Sequence, residues 1–311
     1  MLVYYTWAAA EKALSVVPGG YYVYRALALL ANSSGRSTRR LDGCATSYRL
    51  IRKARELTPR GGSIIDFGTG WHHHDAFLLY LCGCYKIFLF DVEDKARLSY
   101  IRTYLEYLRD NIDELARQLA PLDTEATLMK LRELLGLGSR EEIYRVCNFE
   151  PIITRKTDEP FLPDGSIDFM VSNCVLTHIP PAIVEPELMA LRRMLKPTGF
   201  MYMMIGHDDH WAFHDTTANT FNYYRYSDRF YKKLFDTSFE YQNRMVRSEW
   251  LPVFERAGLK VVEYWGNITD ETRADIAALP HIDARFAKYP AEELATVHSY
   301  FLLAPAGMRS A

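Results

Sequence analysis

Ser63-Ile64-Ile65-Asp66-Phe67-Gly68-Thr69-Gly70 is the stretch whose reading decides the fold. Its apolar start follows the turn Pro59-Arg60-Gly61-Gly62 and has no polar alternation, the pattern of a short strand covered on both faces. Gly68 and Gly70 then let the backbone turn tightly and come close to a ligand, which a side chain would prevent. A helix-compatible stretch runs on to Leu81, and a second buried run, Lys86-Ile87-Phe88-Leu89-Phe90, closes on Asp91. Strand, glycine turn, helix, strand and acid make a βαβ unit. Asp91 stands 21 residues after Gly70, at a strand end where a carboxylate accepts hydrogen bonds from both hydroxyls of a ribose. The two features together predict a nucleoside site.

Outward from this unit, residues 93–145 change to helical periodicity, with Leu98, Ile101, Leu105 and Leu108 on one face. A βαβ crossover needs only a dozen or so residues, so this reads as a helical insertion. Strand patterns return at residues 151–154, 167–172, 199–205, 259–265 and 299–303. The expected fold is therefore α/β, a Rossmann-like sheet of seven mostly parallel strands with the last antiparallel. Upstream, residues 2–31 read as two amphipathic helices broken at Pro18-Gly19-Gly20, and residues 1–57 form an N-terminal helical cap. Residues 1–311 read as one domain, with 206–250 as a lid region on the substrate side.

With 37 basic and 39 acidic residues the net charge is −2, so nothing in the overall charge favours a nucleic-acid partner. The five cysteines are odd in number and lack paired zinc spacing, which points to a reduced, cytoplasmic setting. Glu11, Lys12 and Arg25 break the N-terminal apolar run well short of a membrane span. A homodimer is compatible with the sequence but not demanded by it.

Asp66-Phe67-Gly68-Thr69-Gly70 resembles the first motif of class I methyltransferases, an acid followed by spaced glycines. The run from Pro160 to Ser172, then Val175-Leu176-Thr177-His178-Ile179 and Leu191-Arg192-Arg193-Met194-Leu195-Lys196-Pro197-Thr198-Gly199, is similar in order and distance to the small-molecule branch of that family. The resemblance implies S-adenosylmethionine as cofactor, with Asp66, Phe67, Gly68, Thr69 and Gly70 around its methionine part. It further implies Asp91 at the ribose, Val92 among the cofactor-binding residues and Asn173 beneath the sulfonium. His72 stands where the family has a third glycine. Arg155 stands where an acid often meets the adenine, leaving Asp158 as the substitute. Two other functions fit a nucleoside site on such a sheet: a nicotinamide-dependent oxidoreductase, and a binding protein without catalysis. Trp71-His72 obstructs the place where a dinucleotide pyrophosphate needs that third glycine.

Seven of the nine histidines fall at expected strand ends, and His207, His210 and His214 stand among Asp208, Asp209 and Asp215. Methyl transfer needs the acceptor aligned and, for a hydroxyl, its proton removed, a task that suits histidine near neutral pH. The expected base is His210 or His178, with Asp209 in support and His207 nearby. The acceptor is expected to be a small molecule bearing a hydroxyl or, second, an amine. No recognised metal spacing such as HExxH is present, so no metal is assigned, although the three aspartates offer hard oxygen ligands. The aromatic stretch from Phe213 to Tyr231 fits either a pocket lining or core, and Arg244 and Arg247 are available to an anionic group.

Overall fold

The computed structural model describes residues 2–31, 47–83, 85–215 and 217–308, so Cys44, Cys84 and residues 32–46 of the expected N-terminal cap lie outside the described residues. The strands are β1 (Ser63–Phe67), β2 (Lys86–Asp91), β3 (Phe149–Ile153), β4 (Ile167–Asn173), β5 (Leu195–Gly206), β6 (Leu259–Asn267) and β7 (His298–Pro305). They form one sheet in the order β3-β2-β1-β4-β5-β7-β6. Neighbours are parallel from β3 through β5, and β7 runs antiparallel to both β5 and β6. This is the Rossmann-like α/β fold expected from the sequence.

The chain leaves β1 towards β2 and β3, then returns to lay β4 on the other flank of β1. That reversal opens a crevice at the carboxyl end of β1, between β1 and β4, and the glycine loop sits there. Alternate side chains bury both faces of the sheet. Ile64, Ile87, Leu89, Phe169 and Val171 meet the helices before β1 and those of the insertion. Ile65, Phe67, Phe88, Phe90 and Met170 meet the helices Pro181–Met194 and Arg247–Arg256.

Between β2 and β3 run helices Leu98–Asp110, Ile112–Gln118, Thr124–Gly136 and Arg140–Cys147. The last begins with a capping box, Ser139 and Glu142 each satisfying the other's backbone N–H, and ends at Asn148 in the left-handed region.

Helix α1 (Leu2–Val16) buries Tyr4, Ala8 and Glu11, spaced as one helical stripe, and leaves Val3 and Trp7 outside. The stripe packs on Trp211, Tyr223, Tyr226 and Phe235, so the aromatic stretch is a third core laid over the sheet's carboxyl edge. Phe213 and Phe230 remain exposed.

Glu11 is 5% exposed and accepts a hydrogen bond from Thr237 Oγ1 at 3.0 Å. Burial, opposed by that bond and aided by the charge of Glu240, pushes its carboxyl up to about 7. Folding therefore favours the protonated acid. The stability this group contributes is full below its unfolded pKa of about 4.5 and is lost as pH rises through about 7. Glu11→Gln is expected to stabilise the protein by about 2 kcal/mol at about pH 8 and by little near pH 5, read as Tm at the two pH values. An equal shift at both would show that ionisation of Glu11 is not the cause.

Candidate active site

The loop after β1 is pinned to the end of β2. Phe90 O accepts from Gly68 N at 2.9 Å and from Thr69 N at 3.0 Å, and Asp91 Oδ2 accepts from Gly70 N at 3.0 Å. Asp91 Oδ1 accepts from Glu93 N at 3.1 Å and lies 3.5 Å from Lys95 Nζ. Beside it is a cavity of about 270 Å³ lined by Thr69, Gly70, His73, Asp91, Arg140 and Tyr144, among others. That volume is just below the roughly 300 Å³ lower end of small-molecule pockets.

Asp66 closes the floor of this loop. It is 3% exposed, and its Oδ2 has no hydrogen-bond partner. Burial and the neighbouring charges of Asp75 and Asp91 hold its carboxyl well above the usual range, despite bonds from Thr69 and the Ala76 backbone. Phe67 contributes only backbone here, because its ring is buried in the sheet face against Phe90 at 4.7 Å. Val92 is 41% exposed at the rim. Asn173 ends β4, followed by Cys174 at φ 57°. Asp158 is exposed beyond β3, and Arg155 pairs with Glu93.

The histidine run after β1 is largely structural. His73, at φ 55°, places Nδ1 2.7 Å from Thr69 Oγ1 and Nε2 2.6 Å from the Tyr144 hydroxyl. Burial pulls it down to about 4 and His74 to about 3, so both are neutral.

On the acceptor side the structure gives the expected residues the following partners. Asp209 does not hydrogen-bond the His210 ring: it accepts from the Tyr4 hydroxyl at 2.6 Å and from Trp211 N at 3.0 Å. Burial pushes its carboxyl up to about 7. The acid that meets His210 is Glu240, with Oε1 3.2 Å from Nδ1. The same oxygen lies 3.8 Å from His178 Nδ1, and the two imidazole centroids are 4.9 Å apart. Burial alone would lower His210. The bond and charge of Glu240, with Asp208 and Asp209, outweigh it and raise the imidazole above its ordinary value. His178 is lowered by burial, and its Nδ1–H donates to Tyr241 O at 2.9 Å.

His207 has no free nitrogen, since Nδ1 donates to Met245 O at 3.0 Å and Nε2 meets Ser299 Oγ at 2.9 Å. Asp215 accepts from Tyr4 N and Thr217, so the three aspartates do not gather as a ligand set. Arg244 is buried, bonded to Tyr223 O and Tyr226 O and paired with Asp228, and Arg247 lies over the Tyr264 ring. Arg244 is thus committed internally rather than offered to an anionic substrate.

Sequence reasoning missed Glu240 and His298. β7 is antiparallel, so its first residue, His298, sits at the same edge as the last residues of the parallel strands, opposite Gly206. A Cβ on Gly206 would lie 3.2 Å from Asp208 Oδ1, 3.4 Å from Cys174 Sγ and 3.8 Å from His298 Cδ2, so these three groups converge over that glycine. His298 Nδ1 is buried and has no hydrogen-bond partner. Burial lowers this imidazole, against the raising charge of Asp208.

A Rossmann-like sheet with a glycine loop and the acid Asp91 at its carboxyl edge places the chain in the α/β class. Residues 39–264 match the family model described as a methyltransferase domain, and the chain belongs to that family. No curated protein matches it. Among solved structures it is similar to a chain in a complex containing the Haloferax volcanii Trm112 methyltransferase activator, at 15% identity and TM-score 0.48 over 88% of this chain and 95% of that one. It is also similar to a TehB-like SAM-dependent methyltransferase from Corynebacterium glutamicum, at 13% identity and TM-score 0.42 over 88% and 99%. A third is the Burkholderia thailandensis 1,6-didemethyltoxoflavin-N1-methyltransferase, at 10% identity and TM-score 0.46 over 93% and 91%. No helix among the described residues is long and apolar enough to cross a membrane.

Proposed function

We propose that the chain transfers the methyl group of S-adenosylmethionine to a hydroxyl, or secondarily an amine, of a small molecule. The observation that carries the donor is the buried, unpaired Oδ2 of Asp66 beside a second acid, Asp75. A buried acid pair is relieved by positive charge. This donor brings an ammonium and a sulfonium, whereas a dinucleotide brings a pyrophosphate to the same loop. Asp66, Gly68, Thr69 and Gly70 would hold the methionine part, Asp91 the ribose hydroxyls, Val92 the rim of the adenine, and Asn173 the underside of the sulfonium. Asp158 remains the candidate for the adenine amino group. The donor supplies a methyl carbon already activated for displacement. The protein's part is to align the acceptor and take its proton.

The roof over the acceptor side favours a small acceptor, because α1 reaches it through the bonds from Tyr4 to Asp209 and from Thr237 to Glu11. His210 and His178 both share Glu240, whereas His298 keeps a buried nitrogen without a partner next to Asp208. On this reading His298 takes the proton and Asp208 stabilises the imidazolium.

Calorimetric titration with S-adenosylmethionine, S-adenosylhomocysteine and NADH tests the assignment. Micromolar binding of the first two and none of the third is expected, and binding of NADH alone overturns it. Asp91→Ala removes an acceptor of two charge-assisted hydrogen bonds and is expected to cost about 3 kcal/mol, or about 100-fold in S-adenosylhomocysteine affinity. Unchanged affinity would put the ribose elsewhere.

A further inference from the structure

We infer that His178, His210 and Glu240 bind one divalent first-row transition-metal ion. Each brings one ligand atom within 4.8 Å of the others. Ion–ligand lengths of about 2.0–2.2 Å require ligand atoms about 3–4 Å apart. Glu240 Oε1 already lies 3.2 Å from His210 Nδ1, and a ring nitrogen of His178 lies within 4.8 Å of both ligand groups, so closing on an ion takes side-chain adjustment rather than a change of fold. Two imidazoles and one carboxylate suit Co2+, Mn2+, Fe2+ or Zn2+, whereas Mg2+ and Ca2+ prefer all-oxygen sets.

The three groups come from separate loops that one segment staples together. Asn243 Nδ2 donates to Leu176 O at 2.8 Å and Ile179 O at 3.0 Å, and Asn243 N donates to Thr177 O at 2.9 Å, fixing the turn that carries His178. Gln242 Oε1 accepts from His210 N at 3.4 Å, and Gln242 Nε2 donates to Asp208 O at 2.5 Å, fixing the turn that carries His210. Glu240 N donates to Thr237 Oγ1 at 2.9 Å, which in turn bonds Glu11 of α1. The carbonyl of Tyr241 takes the Nδ1–H of His178 and so leaves its Nε2 with a lone pair, the supporting contact that ligating histidines commonly make.

An ordinary ion pair would need only one imidazole on Glu240. The second must share that carboxylate and repels the first when both are protonated. A dication uses all three groups, and Asp208 and Asp209, which also face His210, add to the attraction, while Lys95 faces His178 and opposes it. Three protein ligands leave coordination positions open at the strand edge for an acceptor oxygen. That last role rests on the methyltransferase reading, but metal binding does not.

The test is titration of untagged, chelator-stripped protein with Co2+, read by visible absorption and calorimetry, with Mg2+ as a control. One Co2+ per chain at about micromolar Kd is expected, with no Mg2+ binding at about 1 mM. Glu240→Gln and His178→Asn should each weaken Co2+ at least about tenfold while S-adenosylhomocysteine affinity is unchanged. Absence of Co2+ binding up to about 1 mM overturns the site. So does binding that both variants leave unaltered, which would direct attention to His72-His73-His74. Co2+ binding without S-adenosylhomocysteine binding would sustain the metal site and defeat the donor assignment.

Discussion

Gly68→Ala is expected to abolish measurable tight binding of S-adenosylhomocysteine, with at least about a 100-fold loss, and to destabilise the fold by about 2–4 kcal/mol. Two costs combine at this position. Gly68 has φ +84°, where an L side chain is strained by about 1–2 kcal/mol. A Cβ there would also stand 2.2 Å from Val175 Cγ2, with the other Val175 carbons at 3.1 and 3.2 Å. Either Val175 is driven from the loop after β4, or the glycine loop is driven from Phe90 O, and each displaces backbone that the donor must touch. Gly61→Ala separates the two costs, because Gly61 has φ +73° with nothing within 4 Å of the added carbon. It should lower Tm modestly and leave ligand affinity alone. Val175→Ala in the Gly68→Ala background should recover part of the affinity by removing the clash but not the strain. Full affinity in Gly68→Ala itself would remove the donor from this loop. Calorimetry and thermal unfolding of the four proteins decide among these outcomes.

The sheet was legible because its central strands are covered on both faces and therefore read as short apolar runs, such as Ile64-Ile65 and Ile87 to Phe90. Asp91 was legible because the end of a strand after a glycine turn is a fixed place in space. Sequence proximity does not reveal where the Asp209 carboxylate makes its hydrogen bonds. Asp209 stands next to His210 in the chain, but its carboxylate turns back to cap Trp211 and meet Tyr4, some 205 positions away, while His210 meets Glu240. Nothing local marks Glu240: it lies in an irregular segment whose place is set by Thr237, Gln242 and Asn243 bonding to α1 and to two other loops. His298 was hidden by strand direction. Looking for chemistry after strands finds the ends of β1, β4 and β5, but an antiparallel strand delivers its first residue to that edge. The aromatic stretch carried too little periodicity to distinguish lining from core, and Tyr4, far away in α1, is what turns it into core.

His298→Ala is the second large effect expected, a fall in kcat of about 10²–10⁴-fold with the acceptor found by screening, and S-adenosylhomocysteine affinity changed less than about twofold. The reason lies in protonation state as well as place. A base must be unprotonated when the acceptor arrives, and burial holds His298 below its ordinary imidazole value even though Asp208 works the other way and His210 adds to the lowering. Activity should therefore be level at about pH 7 and above, with its acid limb below about pH 6.5. Asp208→Asn removes the charge that favours the imidazolium, so the limb should move to still lower pH while kcat falls, because the imidazolium formed in the transition state loses its support. A limb above about pH 6.5 would instead match His210, whose imidazole Glu240 and the two aspartates raise. In that case His298→Ala should alter KM more than kcat. The pH profile and the split between the two constants thus separate the residue that takes the proton from one that only shapes the pocket.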